Sequence, residues 1–341
     1  MGKKKAALLI NLGTPDSTSV EDVRRYLSEF LMDKNVIDLP YPIRYLLVNF
    51  IIVPRRAANS AEAYKKIWTE KGSPLLAIST ELTSAVQKNV DIPIELAMRY
   101  QNPSIRTAID KFKSMGIEKL LVIPLFPQYA MSTFKSAVES VRKIIKHADQ
   151  KIEISVHPPF YKDPDFIRAL AENTRAYLSE GFDHIVFSYH GLPERHIKKT
   201  DPTRSHCLKI PDCCKIPSPA MDFCYRYQCF ETTRLLAERL NLPTDKFTVA
   251  FQSRIGIDRW LSPATVDILR GLAKSGHKKV FVACPSFVAD CIETLEEIAI
   301  RNREVFIESG GEELKLIPCL NTHPLWVETL SSWIQQFALN Q

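Results

Sequence analysis

The 341-residue sequence predicts an α/β protein of two similar, doubly wound domains, each built on a four-stranded parallel sheet. Three features lead there. Short, continuous apolar runs are bounded by turn residues, the mark of strands covered on both faces. Amphipathic helical periods separate those runs. The strand–helix alternation passes through the chain twice, with four strands each time.

In chain order, the first half offers strands at Ala7–Leu12, Ile94–Met98, Leu120–Leu125 and Ile152–Val156. The second offers Ile185–Tyr189, Phe247–Phe251, Val280–Cys284 and Leu314–Pro318. The helix in "TSVEDVRRYLSEFL" opens with Ser19 and Asp22 at capping-box spacing, Asp standing for the usual Glu. "SIRTAIDKFKSMG", "DFIRALAENTRAYLSEG" and "PATVDILRGLAKSG" stop at Gly116, Gly181 and Gly276. A boundary near Pro158 to Asp163 divides the chain into domains 1–160 and 161–341, with the C-terminal helix able to pack on the first domain.

Composition excludes several classes. Apolar residues are 45% and charged residues 25%, as in an ordinary soluble globular protein. The net charge of +6 comes partly from Lys3, Lys4 and Lys5, at an N-terminus expected to fray. Without an arginine-rich run or a stacking motif, no nucleic-acid partner is expected. "AALLINLG" is too short for a signal peptide, Gly2 starts no myristoylation motif because Ala6 follows, and no run of about 18 apolar residues exists. A cytoplasmic protein without a transmembrane helix is expected. "NLGTP" is not a dinucleotide fingerprint and no Walker A lysine occurs, so no nucleotide cofactor is expected.

One segment is unusually apolar: the lip 39–56, "LPYPIRYLLVNFIIVPRR". Leu46, Leu47, Phe50, Ile51 and Ile52 suit peripheral contact with a membrane, with Arg44, Arg55 and Arg56 toward anionic headgroups or propionates. A lid buried on its own domain is the equally weighted alternative.

In doubly wound sheets, ligands bind beyond the carboxyl ends of strands. Asn11, Gln128, His190, Ser253 and Ser286 all fall there. His190 ends a core strand just before a Gly/Pro turn. Asp290, Glu293 and Glu297 follow at i, i+3, i+7, a spacing that lines one helix face. A solvated acidic face and a hydrogen-bonded histidine are the ordinary readings. The functional one is an imidazole/carboxylate pair, His190 and Glu293, on facing domains, which holds a divalent cation loosely or exchanges protons with a substrate.

Eight motifs then occur in order: "LLINLGTPDS", "FLMDKNVIDLP", "KGSPL", "AMRYQNPSI", "FPQYAMST", "FSYHGLPERH", "FQSRIGIDRWLSP" and "FVADCIETLEEIA". Over nearly its whole length the chain resembles the ferrochelatase family, in the bacterial type with an internal cysteine-rich insert. The resemblance implies two flavodoxin-like (Rossmann-like) domains and a lyase that inserts Fe²⁺ into protoporphyrin IX with loss of two protons, the last step of haem synthesis. It implies that His190 and Glu293 form the iron and proton-transfer pair, with Asp290 and Glu297 on an acidic ridge. It further implies that Tyr129, Trp260 and Phe287 line the porphyrin pocket. Asn11, Leu12, Arg99 and Tyr100 fall at its base, and Arg56, Ser73 and Ser132 near propionates and pocket edges. Cys291 stands where some relatives carry a second histidine, so iron delivery is expected to rely on carboxylates. The chain also lacks the cysteine-rich tail of animal relatives. A coproporphyrin chelatase and a porphyrin carrier without turnover are the rival functions.

Five of the eight cysteines cluster: Cys207, Cys213, Cys214, Cys224 and Cys229. Their spacing is not that of a zinc ribbon. The insert, about 192–229, is long, polar and poor in apolar surface, so metal ligation is one way to order it. The family resemblance implies a [2Fe–2S] cluster on four of the five. Zinc, or free loop thiols, are the alternatives.

Overall fold

The computed structural model describes residues 3–147, 151–254 and 258–340. Eight strands form two sheets. The strands are β1 (Lys5–Gly13), β2 (Ile94–Tyr100), β3 (Lys119–Pro124), β4 (Glu153–Val156), β5 (His184–His190), β6 (Phe247–Gln252), β7 (Lys279–Ala283) and β8 (Glu313–Ile317). One sheet has the order β2-β1-β3-β4 and the other β6-β5-β7-β8. Every pairing is parallel, so within each sheet all carboxyl ends share one edge. The same permutation appears twice, and both sheets have the doubly wound form expected.

The chain divides into two compact units. Unit 1 comprises Met1–Phe126, Met131–Pro159 and Trp326–Gln341; unit 2 comprises Pro127–Ala130 and Phe160–Leu325. In unit 1, Ala6, Leu8 and Ile10 of β1 meet Ile109 and Phe112 of the helix Ile105–Ser114 and Val141 of the helix Ser136–His147. Ala7 and Leu9, on the opposite face of β1, are equally buried. This two-sided cover is why the strand reads as an unbroken apolar run. In unit 2, Val186, Val280 and Val282 pack with Leu269, Ile298 and Phe306 in the same manner.

Helix starts follow local chemistry. Ser19 Oγ accepts the Asp22 amide at 3.1 Å, and Ser104 Oγ accepts the Thr107 amide at 3.1 Å. Asp163 caps the helix Pro164–Leu178 through the Asp165 and Phe166 amides, both at 3.0 Å.

Three expectations need correction. From Lys3 onward the N-terminus is not frayed. Lys3 pairs with Glu153 at 2.8 Å, and Lys5 donates to the terminal carbonyls of the helix Pro324–Leu339, including Ala338 at 2.7 Å. That ammonium satisfies orphan carbonyls where the helix dipole is negative. Gly2 lies outside the described residues. Second, Arg44 is buried, its guanidinium donating to the Ile37 and Leu39 carbonyls at 3.2 and 2.8 Å, so it is committed to its own loop. Third, Asp290, Glu293 and Glu297 do not share a helix face. The helix begins only at Ile292, and Glu297–Asn302 winds as a π-helix, which rotates later side chains off the 3.6-residue register.

The lip is two-sided. Val48 and Val53 pack against Leu31, whereas Tyr41, Ile43, Leu46 and Phe50 are exposed. No helix among the described residues is long and apolar enough to cross a membrane.

Gly13 ends β1 at φ +121°, where a Cβ would overlap the Tyr100 carbonyl oxygen. Gly13→Ala is expected to cost at least about 2 kcal/mol, read as a lowered urea midpoint with unchanged slope.

Candidate functional site

His190 is the last residue of β5, half-buried at the carboxyl edge of the second sheet. Its Nδ1 lies 2.7 Å from the Gly191 carbonyl. A carbonyl only accepts, so Nδ1 carries the proton, and the neutral ring then presents its lone pair at Nε2. The His190 amide donates to Ser286 Oγ at 3.3 Å, and the His190 carbonyl accepts from the Tyr225 hydroxyl at 2.9 Å. Phe287 stands beside the imidazole, with ring centroids 6.3 Å apart. Gly191 fits only as glycine, since a Cβ would come 2.7 Å from the Gln252 carbonyl oxygen and 3.4 Å from the Trp260 ring.

Glu293 belongs to the same unit as His190, not to a facing domain. β5 and β7 are hydrogen-bonded neighbours, so the loops leaving their carboxyl ends open on one edge. Gln252 joins them. Its backbone carbonyl accepts the Gly191 amide at 2.7 Å, and its side-chain amide donates to the Glu293 carbonyl at 2.7 Å. Its other amide atom accepts from Ser188 Oγ at 2.6 Å. Gln252 is buried and was not singled out from the sequence; its place at the end of β6, beside Ser253, is the only signal it left.

The other two acids are committed to structure. Asp290 is buried: Oδ1 accepts from Thr294 at 2.9 Å and Oδ2 from Asn321 at 2.7 Å. Glu297 accepts the Ser253 amide at 2.8 Å and also the Ser253 hydroxyl. Glu293 is different. It is half-buried, and its neighbour in hydrogen-bonding reach is the Cys291 thiol. Burial, then the Glu293 charge, pushes that thiol well above the ordinary cysteine value, so Cys291 stays protonated and donates. Cys291 also caps the short helix Ile292–Leu295.

Of the aromatic candidates, Trp260 and Phe287 are half-buried in unit 2, and Trp260 bridges to Pro193. Tyr129 also belongs to unit 2: its amide donates to Gln228 at 2.6 Å and its ring meets Phe223 edge-on at 5.4 Å. Gln128, beside it, is buried and donates to Thr232 at 3.1 Å. Ile255–Ile257, inside the seventh motif, lie outside the described residues.

The remaining candidates belong to unit 1. Asn11 is buried on Ser79 at 3.1 Å and orders the Leu12 amide at 2.8 Å. Ser73 accepts from Thr14 at 2.8 Å, and Ser132 is buried in the π-helix Met131–Lys135. Arg56 is exposed on the helix Val53–Ile67. Arg99 and Tyr100 end β2 and converge on an acid the sequence reading passed over. Arg99 pairs with Asp33 at 2.6 Å and donates to Ser136 at 2.7 Å, and the Tyr100 hydroxyl donates to Asp33 at 3.0 Å. Burial pushes the Asp33 carboxyl up. Hydrogen bonds from Ser136 and the Asn35 amide, the Arg99 charge and Tyr100 together outweigh it and hold Asp33 below the usual carboxylate value. Arg99 is thus neutralised within unit 1. Asp33 stood inside the quoted motif "FLMDKNVIDLP" but carried no spacing cue.

Within the insert, Asp201 gathers the loop, accepting the Thr203, His206 and Cys207 amides, each at 2.9 Å. Cys207, Cys213, Cys214 and Cys224 line one small cavity with His206, Met221 and Tyr227; Cys229 lies outside that lining. Their thiols are within hydrogen-bonding reach in sequence: Cys213 with Cys214, Cys214 with Cys224, Cys224 with Cys207. Hydrogen bonding to Cys207 is the main reason the Cys224 thiol is pushed up to about 12. Thiolate-type donors suit zinc or iron–sulfur chemistry. Yet among the described residues no group of three or more His, Cys, Asp or Glu side chains is arranged to hold a metal ion. The donor type fits a cluster and the arrangement does not.

Comparison with known proteins agrees with the geometry. The ferrochelatase family model matches residues 4–338. A ferrochelatase of Ectopseudomonas mendocina (strain ymp) is 49% identical over 327 residues, 95% of this chain and 96% of that one. One from Pseudomonas fluorescens (strain Pf0-1) is 48% identical over 336 residues, 98% of each chain. Among solved structures, SirB from Bacillus subtilis with Fe³⁺ superposes with a TM-score of 0.55 at 13% identity, covering 99% of this chain and 96% of that chain. That likeness concerns the fold. With two relatives near half identity over almost the full length, and the family model spanning both sheets, the chain belongs to the ferrochelatase family.

Proposed function

We propose that this chain catalyses insertion of Fe²⁺ into protoporphyrin IX, with His190 as proton acceptor and Glu293 as its carboxylate partner. A flat porphyrin carries two pyrrole N–H protons that must leave before four nitrogens can bind iron. Bending the ring exposes them, and the ring's large apolar area supplies the binding energy for that strain. Nε2 of His190 takes the two protons one after the other, handing the first on before it accepts the second, while Nδ1–H stays on the Gly191 carbonyl. Glu293, whose carboxylate has the Cys291 thiol within hydrogen-bonding reach, receives each proton in turn or holds the incoming cation. Trp260, Phe287 and Tyr129, all of unit 2, offer apolar ring contacts. The observation that carries this reading is the 2.7 Å contact of His190 Nδ1 with the Gly191 carbonyl, which turns Nε2 to the reaction.

His190→Ala is expected to lower metalation at least about 100-fold while porphyrin still binds. Glu293→Gln is expected to be comparably severe, and Glu297→Gln milder, because Ser253 can still hold an amide. The assay is anaerobic absorbance with ferrous iron and protoporphyrin or coproporphyrin. Faster turnover of coproporphyrin would reassign the substrate, binding without metalation would favour a carrier, and full turnover by a folded His190→Ala protein would sink the acceptor role.

The insert is proposed to carry a [2Fe–2S] cluster on Cys207, Cys213, Cys214 and Cys224. The ligand type supports this, and Cys229, outside the lining the other four share, is the one left over. When bound, such a cluster would cross-link a segment poor in apolar contacts. Anaerobically purified protein should be red-brown with about two iron and two sulfide per chain. Serine at any of the four should bleach it, and Cys229→Ser should not. Colourless protein with one zinc, or with none, would replace the cluster.

The lip is proposed to touch the membrane surface. Tyr41, Ile43, Leu46, Phe50 and Ile51 are exposed together, next to Arg55 and Arg56. Co-sedimentation with anionic vesicles should exceed that with neutral ones and fall in Phe50→Glu; equal pelleting with and without vesicles counts against it.

A further inference from the structure

Pairing of β5 with β7 ends at Phe187 and Ala283, three residues before His190. On that side the His190 peptide therefore has no strand to bond to. Two side chains replace it. Ser286 Oγ accepts the His190 amide at 3.3 Å, and the Tyr225 hydroxyl donates to the His190 carbonyl at 2.9 Å. Ser286 is also within hydrogen-bonding reach of Tyr225, so the two side chains close a ring with the N–H and C=O of one residue.

Tyr225 is buried, and it is the first residue of the helix Tyr225–Leu240. That helix is capped by Cys224, whose sulfur accepts the Tyr227 amide at 3.5 Å. Cys224 also lines the thiol cavity of the insert. A continuous path of contacts therefore runs from the cavity, through Cys224 and the first helical turn, to the backbone of His190. Buried hydrogen bonds of this kind fix orientation, and a displacement of about 1 Å at a reacting group can cost orders of magnitude in rate.

We propose that Tyr225 is a positioning residue for His190 and the link through which the packing of the insert's thiols sets the rate of proton acceptance. The inference rests on the reading of His190 as proton acceptor. Tyr225→Phe removes the hydroxyl and keeps the buried ring. It should lower kcat for porphyrin metalation about tenfold, leave the porphyrin KM within about twofold, and shift the ¹⁵N resonances of the His190 ring. Ser286→Ala, the other half of the clamp, should give the same kcat-only loss and serves if Tyr225→Phe folds poorly. Cys214→Ala, across the cavity, should lower kcat by about fivefold alone and add nothing in the Tyr225→Phe background. Unchanged kcat and unchanged His190 resonances in folded Tyr225→Phe would overturn the positioning role. Equal losses from Cys214→Ala in both backgrounds would overturn the link. The His190 resonances report the contact without turnover, so an active His190→Ala protein would remove the acceptor reading and still leave this contact separately tested.

Discussion

β5 is hydrogen-bonded to β6 on one side and to β7 on the other, and the unit 2 site hangs on that double pairing. Parallel strands start at one edge and finish at the other. The three segments leaving β5, β6 and β7 are therefore delivered to the same edge, although His190, Gln252 and Glu293 are far apart in sequence. Gln252 turns this proximity into fixed geometry. One residue holds the Gly191 amide with its backbone and the Glu293 carbonyl with its side chain. Gly191 allows the close approach, since any larger residue meets the Gln252 carbonyl. With Nδ1 satisfied within the turn, the imidazole has one orientation and one basic nitrogen.

The two units repeat a permutation but not a chemistry. In both, the segment after the third strand includes a π-helix, Met131–Lys135 in one and Glu297–Asn302 in the other. A π-turn widens the helix and redirects the side chains around it, and such turns gather at functional sites. In unit 2 the π-helix begins at Glu297, so Glu293 and Glu297 lie in differently wound segments. In unit 1 the corresponding strand ends carry a self-neutralised cluster of Asp33, Arg99, Tyr100 and Ser136. That cluster is a polar base in which several donors share one buried carboxylate.

Much of the architecture was legible before any coordinates. Strands covered on both faces must be apolar throughout, which makes the central ones plain, and all eight strands lie at nearly the bounds expected, the partly exposed β4 included. Caps and terminal glycines marked helix ends because those rules act within four residues of chain. His190 stood out because an imidazole at the end of a core strand has no packing reason to be there. The family resemblance drew on the same local signals and agrees with the family the chain belongs to.

What the sequence by itself determined was the set of elements and the family, since both follow from patterns of short range. Only tertiary structure decided which partner each carboxylate takes. Asp290, Glu293 and Glu297 are alike in type and spacing, and they differ in partners that come from elsewhere: Asn321 for the first, Ser253 for the third. Tertiary structure likewise drew Lys5 onto the last helix, took Arg44 out of solvent, put Asp33 under Arg99, and brought four of five cysteines to one cavity. Each of these is a contact between residues distant along the chain. A charge or a thiol in sequence has no address until folding supplies its neighbour, and neighbours set burial, hydrogen bonding and protonation.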